Sequence, residues 1–320
     1  MGQKRRVFDC FLFNDERELL EVRLQLLSTL VDQFVIVVSD QTFTGLPKSS
    51  KFPWDSPIVD RFRDSIKLVH LESLVGRDAW AREAYSRNSI LNGVPNGDPW
   101  DLLIVSDIDE IPRPASIEAA ALLSDDAFPV VLCLDYFNFK FNYKMTIGMQ
   151  AVWAGPVITT VRAMTTPQKL RSGRWAGLHR GSGVIYNAGW HFSYLSAGDD
   201  VKKKLESFSH QEKHIQARGS VRVDKLIALR EGFHSHHSPC AVWSVVPIHS
   251  LDCHKLEELV LRYPALTLSE GIDDQGEIEL RKKLSVNKMA VYEQEKILRM
   301  CATRHIFFEL ARRVARRIHR

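Results

Sequence analysis

Three carboxylates crowd into one short segment: Asp107, Asp109 and Glu110, within Val105-Ser106-Asp107-Ile108-Asp109-Glu110-Ile111-Pro112. An apolar run, 102–105, leads straight into it. In extended backbone, residues two apart point the same way, so Asp107 and Asp109 share a side. Two hard oxygen donors at a strand end suit magnesium or manganese, and such an ion can hold a diphosphate. Ligands of open α/β sheets gather at the carboxyl ends of the strands, which is where this segment falls. The plainer alternative is that these acids cap a helix opening near Pro114.

Three other clusters carry possible chemistry. Ala188-Gly189-Trp190-His191-Phe192-Ser193-Tyr194 sets a glycine beside Trp190 and His191. That suggests backbone packed close to a ligand and an aromatic platform for a sugar; the alternative is a core strand with a satisfied histidine. Arg87, in Arg82-Glu83-Ala84-Tyr85-Ser86-Arg87-Asn88, could grip a diphosphate in bidentate fashion. It could equally pair with Glu83 one helical turn away. His234, His236, His237, Cys240, His249, Cys253 and His254 form a dense group, but their spacings match no zinc pattern. A single histidine from this group could complete a metal or phosphate site.

These residues need a frame to hold them. Residues 7–13, 34–38, 66–71, 102–105 and 130–134 read as strands, and the second is a β-branched run of the kind parallel sheets bury. Residues 16–31, 78–91 and 114–123 read as helices between them. This alternation predicts βαβ units in a mostly parallel, doubly wound α/β sheet. Beyond residue 140 the pattern turns irregular, with aromatic and glycine-rich pieces expected as short strands and loops. Helices are expected again at 199–217 and 277–318. The division expected is a catalytic domain over 1–275 and a basic helical extension over 276–320.

The 320 residues are 45% hydrophobic and 26% charged, which excludes wholesale disorder. The net charge is +4, yet residues 299–320 hold seven arginines against one glutamate. The body is therefore close to neutral, and a nucleic-acid partner is not expected. In the tail, Ile306, Leu310, Val314 and Ile318 recur at helical spacing, a pattern suited to peripheral contact with an anionic membrane. No apolar run reaches the roughly 18 residues that span a bilayer, and 7–13 is too short and polar for a signal peptide. The five cysteines are scattered and odd in number. A cytoplasmic location, peripheral at the membrane face, is expected.

FNDERELLEVRL with its following strand and TFTGLPK loop, then DIDEIP, then AGWHFSYL followed by KLESFSHQE, occur in an order that resembles glycosyltransferase family 17. That family includes the β-1,4-mannosyl-glycoprotein β-1,4-N-acetylglucosaminyltransferases. The matches run from about residue 8 to residue 235. The resemblance implies a GT-A-like fold, a UDP-sugar donor (UDP-GlcNAc in characterised members) and an inverted β-linked product; the acceptor expected is a glycan or, because the sequence shows no membrane anchor of the kind the family's animal members carry, a lipid-linked saccharide. It implies a divalent metal, manganese or magnesium, at Asp107 and Asp109. Arg87 and Trp190 match recurrent positions and are expected on the donor, together with Asp107. The family's second strand commonly ends in Glu where this chain has Val38, so Ser39 and Asp40 are expected to take that donor-binding place. Inverting transfer needs a base for the acceptor hydroxyl; the candidates are Glu206, Asp135 and His191. Two rivals remain: a metal-dependent phosphohydrolase, and a carbohydrate-binding protein without turnover.

Overall fold

The computed structural model describes residues 5–48, 51–94, 98–147, 151–180, 183–195, 223–229, 231–233 and 241–269. The helices expected at 199–217 and 277–318, the boundary near 275, Glu206, and His234, His236, His237 and Cys240 lie outside the described residues.

β1 (Val7–Leu12) runs through α1 (Arg17–Leu27) to β2 (Gln33–Ser39). α2 (Pro57–Asp60), β3 (Ile66–Leu71), α3 (Ala79–Asn88) and β4 (Leu102–Asp107) follow. α3 opens where the Asp78 carboxylate accepts from the Ala81 amide at 2.8 Å, a side-chain cap for an otherwise unpaired donor. β3-β2-β1-β4 are neighbours in that order, all parallel. The expectation of βαβ units therefore holds over this half, and every strand expected there is present.

Then come β5 (Glu110–Pro112), α4 (Pro114–Ala121), β6 (Val130–Asn138), β7 (Tyr143–Ile147) and β8 (Val152–Thr160). After them stand α5 (Pro167–Arg180), β9 (Val184–Ile185), β10 (Gly189–Ser193), α6 (Val223–Ala228), β11 (Val242–Val245) and α7 (His254–Val260). Here the sheet is mixed, not mostly parallel. β8 lies antiparallel between β4 and β6, and β7 lies antiparallel between β6 and β11. The connection from β6 to β7 is too short for the crossover a parallel neighbour requires. A second correction is α5, which replaces the strands and loops expected over its length. Its Gly173 and Gly177, with no clear apolar stripe in the sequence, concealed it.

Helices cover both faces of the sheet. Leu20 and Leu24 of α1, Ile117 of α4 and Leu256 of α7 pack on one face with Phe34 and Ile104. Leu170 of α5 and Ile90 after α3 pack on the other with Val35 and Val105. Side chains alternate along β4, which decides the chemistry at its end. Leu102 and Ile104 belong to the first core, and Ser106 continues that face. Leu103 and Val105 belong to the second, and Asp107 continues that one. Asp107 therefore emerges toward α3 and α5, while Ser106 turns toward α1.

Candidate donor site at the carboxyl end of β4

Asp107 is gripped by two arginines from those two helices. Arg87 Nη2, on α3, donates to Oδ1 at 2.9 Å, and Arg171 Nη2, on α5, donates to Oδ2 at 2.8 Å. Both guanidiniums are buried, whereas the Asp107 side chain is 33% exposed. Arg87 also donates to Glu83 at 2.5 Å and to Gln168 at 2.5 Å. The two alternatives for Arg87, a pairing along its own helix and a role at the strand end, thus coexist.

Glu110 lies beneath, wholly buried. Arg171 donates to its Oε1 at 2.8 Å, and Trp153 Nε1 donates to the same oxygen at 2.7 Å. Glu110 Oε2 in turn accepts from the Asp107 amide at 3.1 Å. The acids are not helix caps: α4 begins after Arg113 with no side-chain capping bond.

This charge cluster sets the protonation states. Burial works against the Asp107 anion, but Arg171 and Arg87 outweigh it and hold its pKa well below the usual carboxylate range. Burial also opposes the Glu110 anion, and Arg171 again prevails. Arg174, on α5, is lowered to about 10, first by burial and then by repulsion from Arg171. Its Nε and Nη1 donate to the carbonyls of Ala154 and Arg171 at 2.8 and 2.6 Å. Carboxylates with depressed folded pKa values contribute stability that is present above their unfolded values, about 3.9 for Asp and 4.3 for Glu. That contribution is lost as pH falls below them. The melting temperature should therefore drop from pH 6 to pH 3, and the drop should be shallower in Asp107→Asn.

Asp109 does not share a side with Asp107 as expected, because the extended backbone ends at Asp107 and a turn over 108–109 directs Asp109 toward β10. It is 8% exposed, with Oδ1 3.7 Å from His191 Nε2. His191 is buried and stacked on Tyr136, ring centroids 4.9 Å apart. Trp190, expected to stack on a donor, is instead wholly buried. Its indole donates to the Leu251 carbonyl at 3.2 Å, and the Arg113 guanidinium lies over its ring. The ring therefore offers no face to a ligand in this arrangement. The close backbone approach expected at Gly189 does exist, but against protein. A Cβ there would sit 2.1 Å from the Ile111 carbonyl oxygen, and φ is +154°, so glycine lets β10 close on β5.

Ser39 and Asp40 end β2 on the same sheet edge as Asp107. The Ser39 hydroxyl donates to the Gln41 carbonyl at 2.6 Å, and Asp40 meets His70 Nε2 at 2.8 Å on the surface. Asp135, on β6, pairs with Lys144 at 2.9 Å and is 27% exposed. It is the strand partner of Trp190, so in the strand ladder β10 stands between it and Glu110 of β5.

For a divalent cation the donor chemistry is suitable. Asp107 uses one hydrogen bond on each oxygen and retains further lone pairs, and Asp109 supplies a second carboxylate. Among the described residues no group of three or more His, Cys, Asp and Glu side chains could hold a metal ion. His249, Cys253 and His254 accordingly form no metal site by themselves. Remaining ligands would have to come from a bound diphosphate or from outside the described residues.

Sequence reading identified Asp107, Asp109 and Arg87, which the fold brings to one end of β4. It missed Arg171, Arg174, Trp153 and the buried role of Glu110. The arginines lie in the unrecognised α5, and Trp153 was one aromatic among many.

The family model described as Glycosyltransferase family 17 matches residues 1–230. The beta-1,4-mannosyl-glycoprotein 4-beta-N-acetylglucosaminyltransferases of Rattus norvegicus and Homo sapiens are each 32% identical over 230 residues, covering 63% of this chain and 43% of the relative. The chain thus spans less than half the length of these relatives. Among solved structures, S. aureus TarS 1-349 aligns with 67% of this chain and 69% of its own, at 12% identity and a TM-score of 0.33.

Proposed function

Because the chain belongs to glycosyltransferase family 17, we propose that it transfers GlcNAc from UDP-GlcNAc to a glycan acceptor, with inversion, on a GT-A-like scaffold. The observation that carries this is the Asp107 carboxylate at the end of β4, set between Arg87 and Arg171 with Asp109 two residues on. Departure of UDP leaves negative charge on the diphosphate. Arg87, Arg171 and Arg174 supply fixed positive charge beside that position, held in place before reaction. Asp109, with Asp107 in support, would hold a manganese or magnesium ion, which when bound would supply further neutralisation. Ser39 and Asp40, on the same edge, are assigned to the nucleoside end of the donor.

The acceptor hydroxyl must lose a proton as it attacks. His191 is buried against Tyr136 and faces Asp109, which suits orienting that carboxylate better than meeting an acceptor. Asp135 and Glu206 are retained for the base, Asp135 because it reaches solvent. Trp190 is assigned to the core. A phosphohydrolase or a binding protein without turnover would fit the same acids, but the family favours transfer.

A thermal-shift screen of nucleotide sugars with manganese tests this directly. UDP-GlcNAc at a hundred times its Kd should add about 2.7 kcal/mol to stability, and labelled GlcNAc should pass to an oligosaccharide or lipid-linked saccharide. The absence of a shift with every UDP-sugar would overturn the donor assignment.

No helix among the described residues is long and apolar enough to cross a membrane. We propose that the basic tail provides peripheral contact, each arginine near an anionic surface adding about 1 kcal/mol. Deleting residues 299–320 should abolish sedimentation with anionic liposomes; a full-length chain that never sediments with them refutes the contact.

A further inference from the structure

We propose that Arg23 is a positioning residue that fixes the turn carrying Asp107, Asp109 and Glu110, with Asp9 holding its guanidinium in place. The functional part of this rests on the reading of that turn as the donor site.

Arg23 sits on α1 and Asp9 on β1, both at zero side-chain exposure. Two of the guanidinium nitrogens bind Asp9: Nε donates to Oδ2 at 2.8 Å and Nη2 to Oδ1 at 2.6 Å. Nη2 also donates to the Ser106 hydroxyl at 2.6 Å. The third nitrogen, Nη1, faces the carbonyl oxygens of Asp107, Ile108 and Glu110 at 2.9, 3.1 and 3.0 Å. Phe11 backs the group, its ring centroid 4.4 Å from Cζ.

A buried ion pair is a costly way to attach a helix to a sheet. Each ion loses several kcal/mol of hydration, and an apolar pair of similar volume often packs as well or better. Here all five guanidinium protons have acceptors, and three of the acceptors are consecutive or near-consecutive carbonyls of one turn. A lysine has a single point of charge and no planar fork. It cannot bind Asp9 on one edge and reach those three carbonyls on the other. The carbonyls are drawn toward α1, while the carboxylates of Asp107 and Glu110 both meet Arg171 on the opposite side of the strand. Arg23 and Arg171 thus clamp the same turn from two faces, one by its backbone and one by its side chains.

The test compares Arg23→Lys with Leu20→Ala, a wholly buried position on the same helix, chosen to lower the melting temperature without touching the turn. Hydrogen exchange is followed on peptides covering 106–112, well below either melting temperature. Arg23→Lys should accelerate exchange there by at least about tenfold, whereas Leu20→Ala should leave it within about threefold of wild type. If Arg23→Lys does not fold, Asp9→Asn, which preserves shape, is expected to show the same local acceleration. Equal exchange in the helix variants would reduce Arg23 to a packing residue and overturn the proposal. In parallel, UDP binding with manganese is measured for wild type and Asp107→Asn. If the two bind UDP alike, the donor-site reading fails, while the exchange result still decides whether Arg23 orders the turn. If the donor site stands, turnover of UDP-GlcNAc by Arg23→Lys should fall about tenfold or more in kcat with KM little changed.

Discussion

Replacing Asp107 by Asn should lower UDP-GlcNAc turnover by about a hundred- to a thousandfold, the usual scale for removing one fixed electrostatic contact at a reacting centre. The side chain keeps its shape, so the loss reports charge. Stability should fall too. Sequence position alone suggests a strand-end loop residue whose removal costs under about 0.5 kcal/mol. The structure instead shows two charge-assisted hydrogen bonds from buried arginines. Because a third of the carboxylate is exposed, solvent screens part of their strength, and a cost of about 1–3 kcal/mol is expected. Asp109 faces His191 at 3.7 Å, a longer contact than the bonds that Arg87 and Arg171 make to Asp107, so Asp109→Asn should reduce turnover comparably with a smaller change in melting temperature. Treating the wild type with EDTA should reproduce the Asp109→Asn activity, and manganese should restore only the wild type. Full activity in EDTA would remove the metal from the mechanism while leaving the family unaffected.

Much of this was readable in the chain because it depends on local pattern. The β-branched run of β2, the apolar run of β4 and the acids at its end follow from side-chain alternation and from the edge at which α/β sheets bind ligands. What escaped depends on contacts between distant segments. Nothing near Arg171 marks it as the partner of Asp107, and its helix lacks a readable apolar face. Asp9 is an acid inside an apolar strand, and nothing local names its partner, which is set by α1 packing on β1. Trp190 looked like a sugar platform because burial depends on the strands around it, and β5, which pairs with β10, was too short to be read separately from the acidic segment.

Removing Arg171 should produce the largest change in stability. In Arg171→Met, Glu110 loses both of its bonds to the guanidinium and keeps the Trp153 indole and the Asp107 amide as donors. An unpaired charge is then left at 1% exposure, and breaking a buried pair from one side typically costs about 3–5 kcal/mol. For a chain of this size that corresponds to roughly 10 °C in melting temperature. The dependence on pH should also change sign. With Arg171 present, Glu110 titrates below its usual value and acid destabilises the fold. With Arg171 gone, burial raises the folded pKa of Glu110 above its unfolded value, so its protonation favours the folded state. Arg171→Met should therefore gain stability between pH 7 and pH 5, where the wild type does not. Adding Glu110→Gln removes the buried charge and keeps an acceptor for Trp153, but it sets an amide donor against the Asp107 N–H, so it should recover part of the loss at pH 7. A double-mutant cycle showing no coupling, with acid destabilising both proteins alike, would mean that the carboxylate is not held by Arg171.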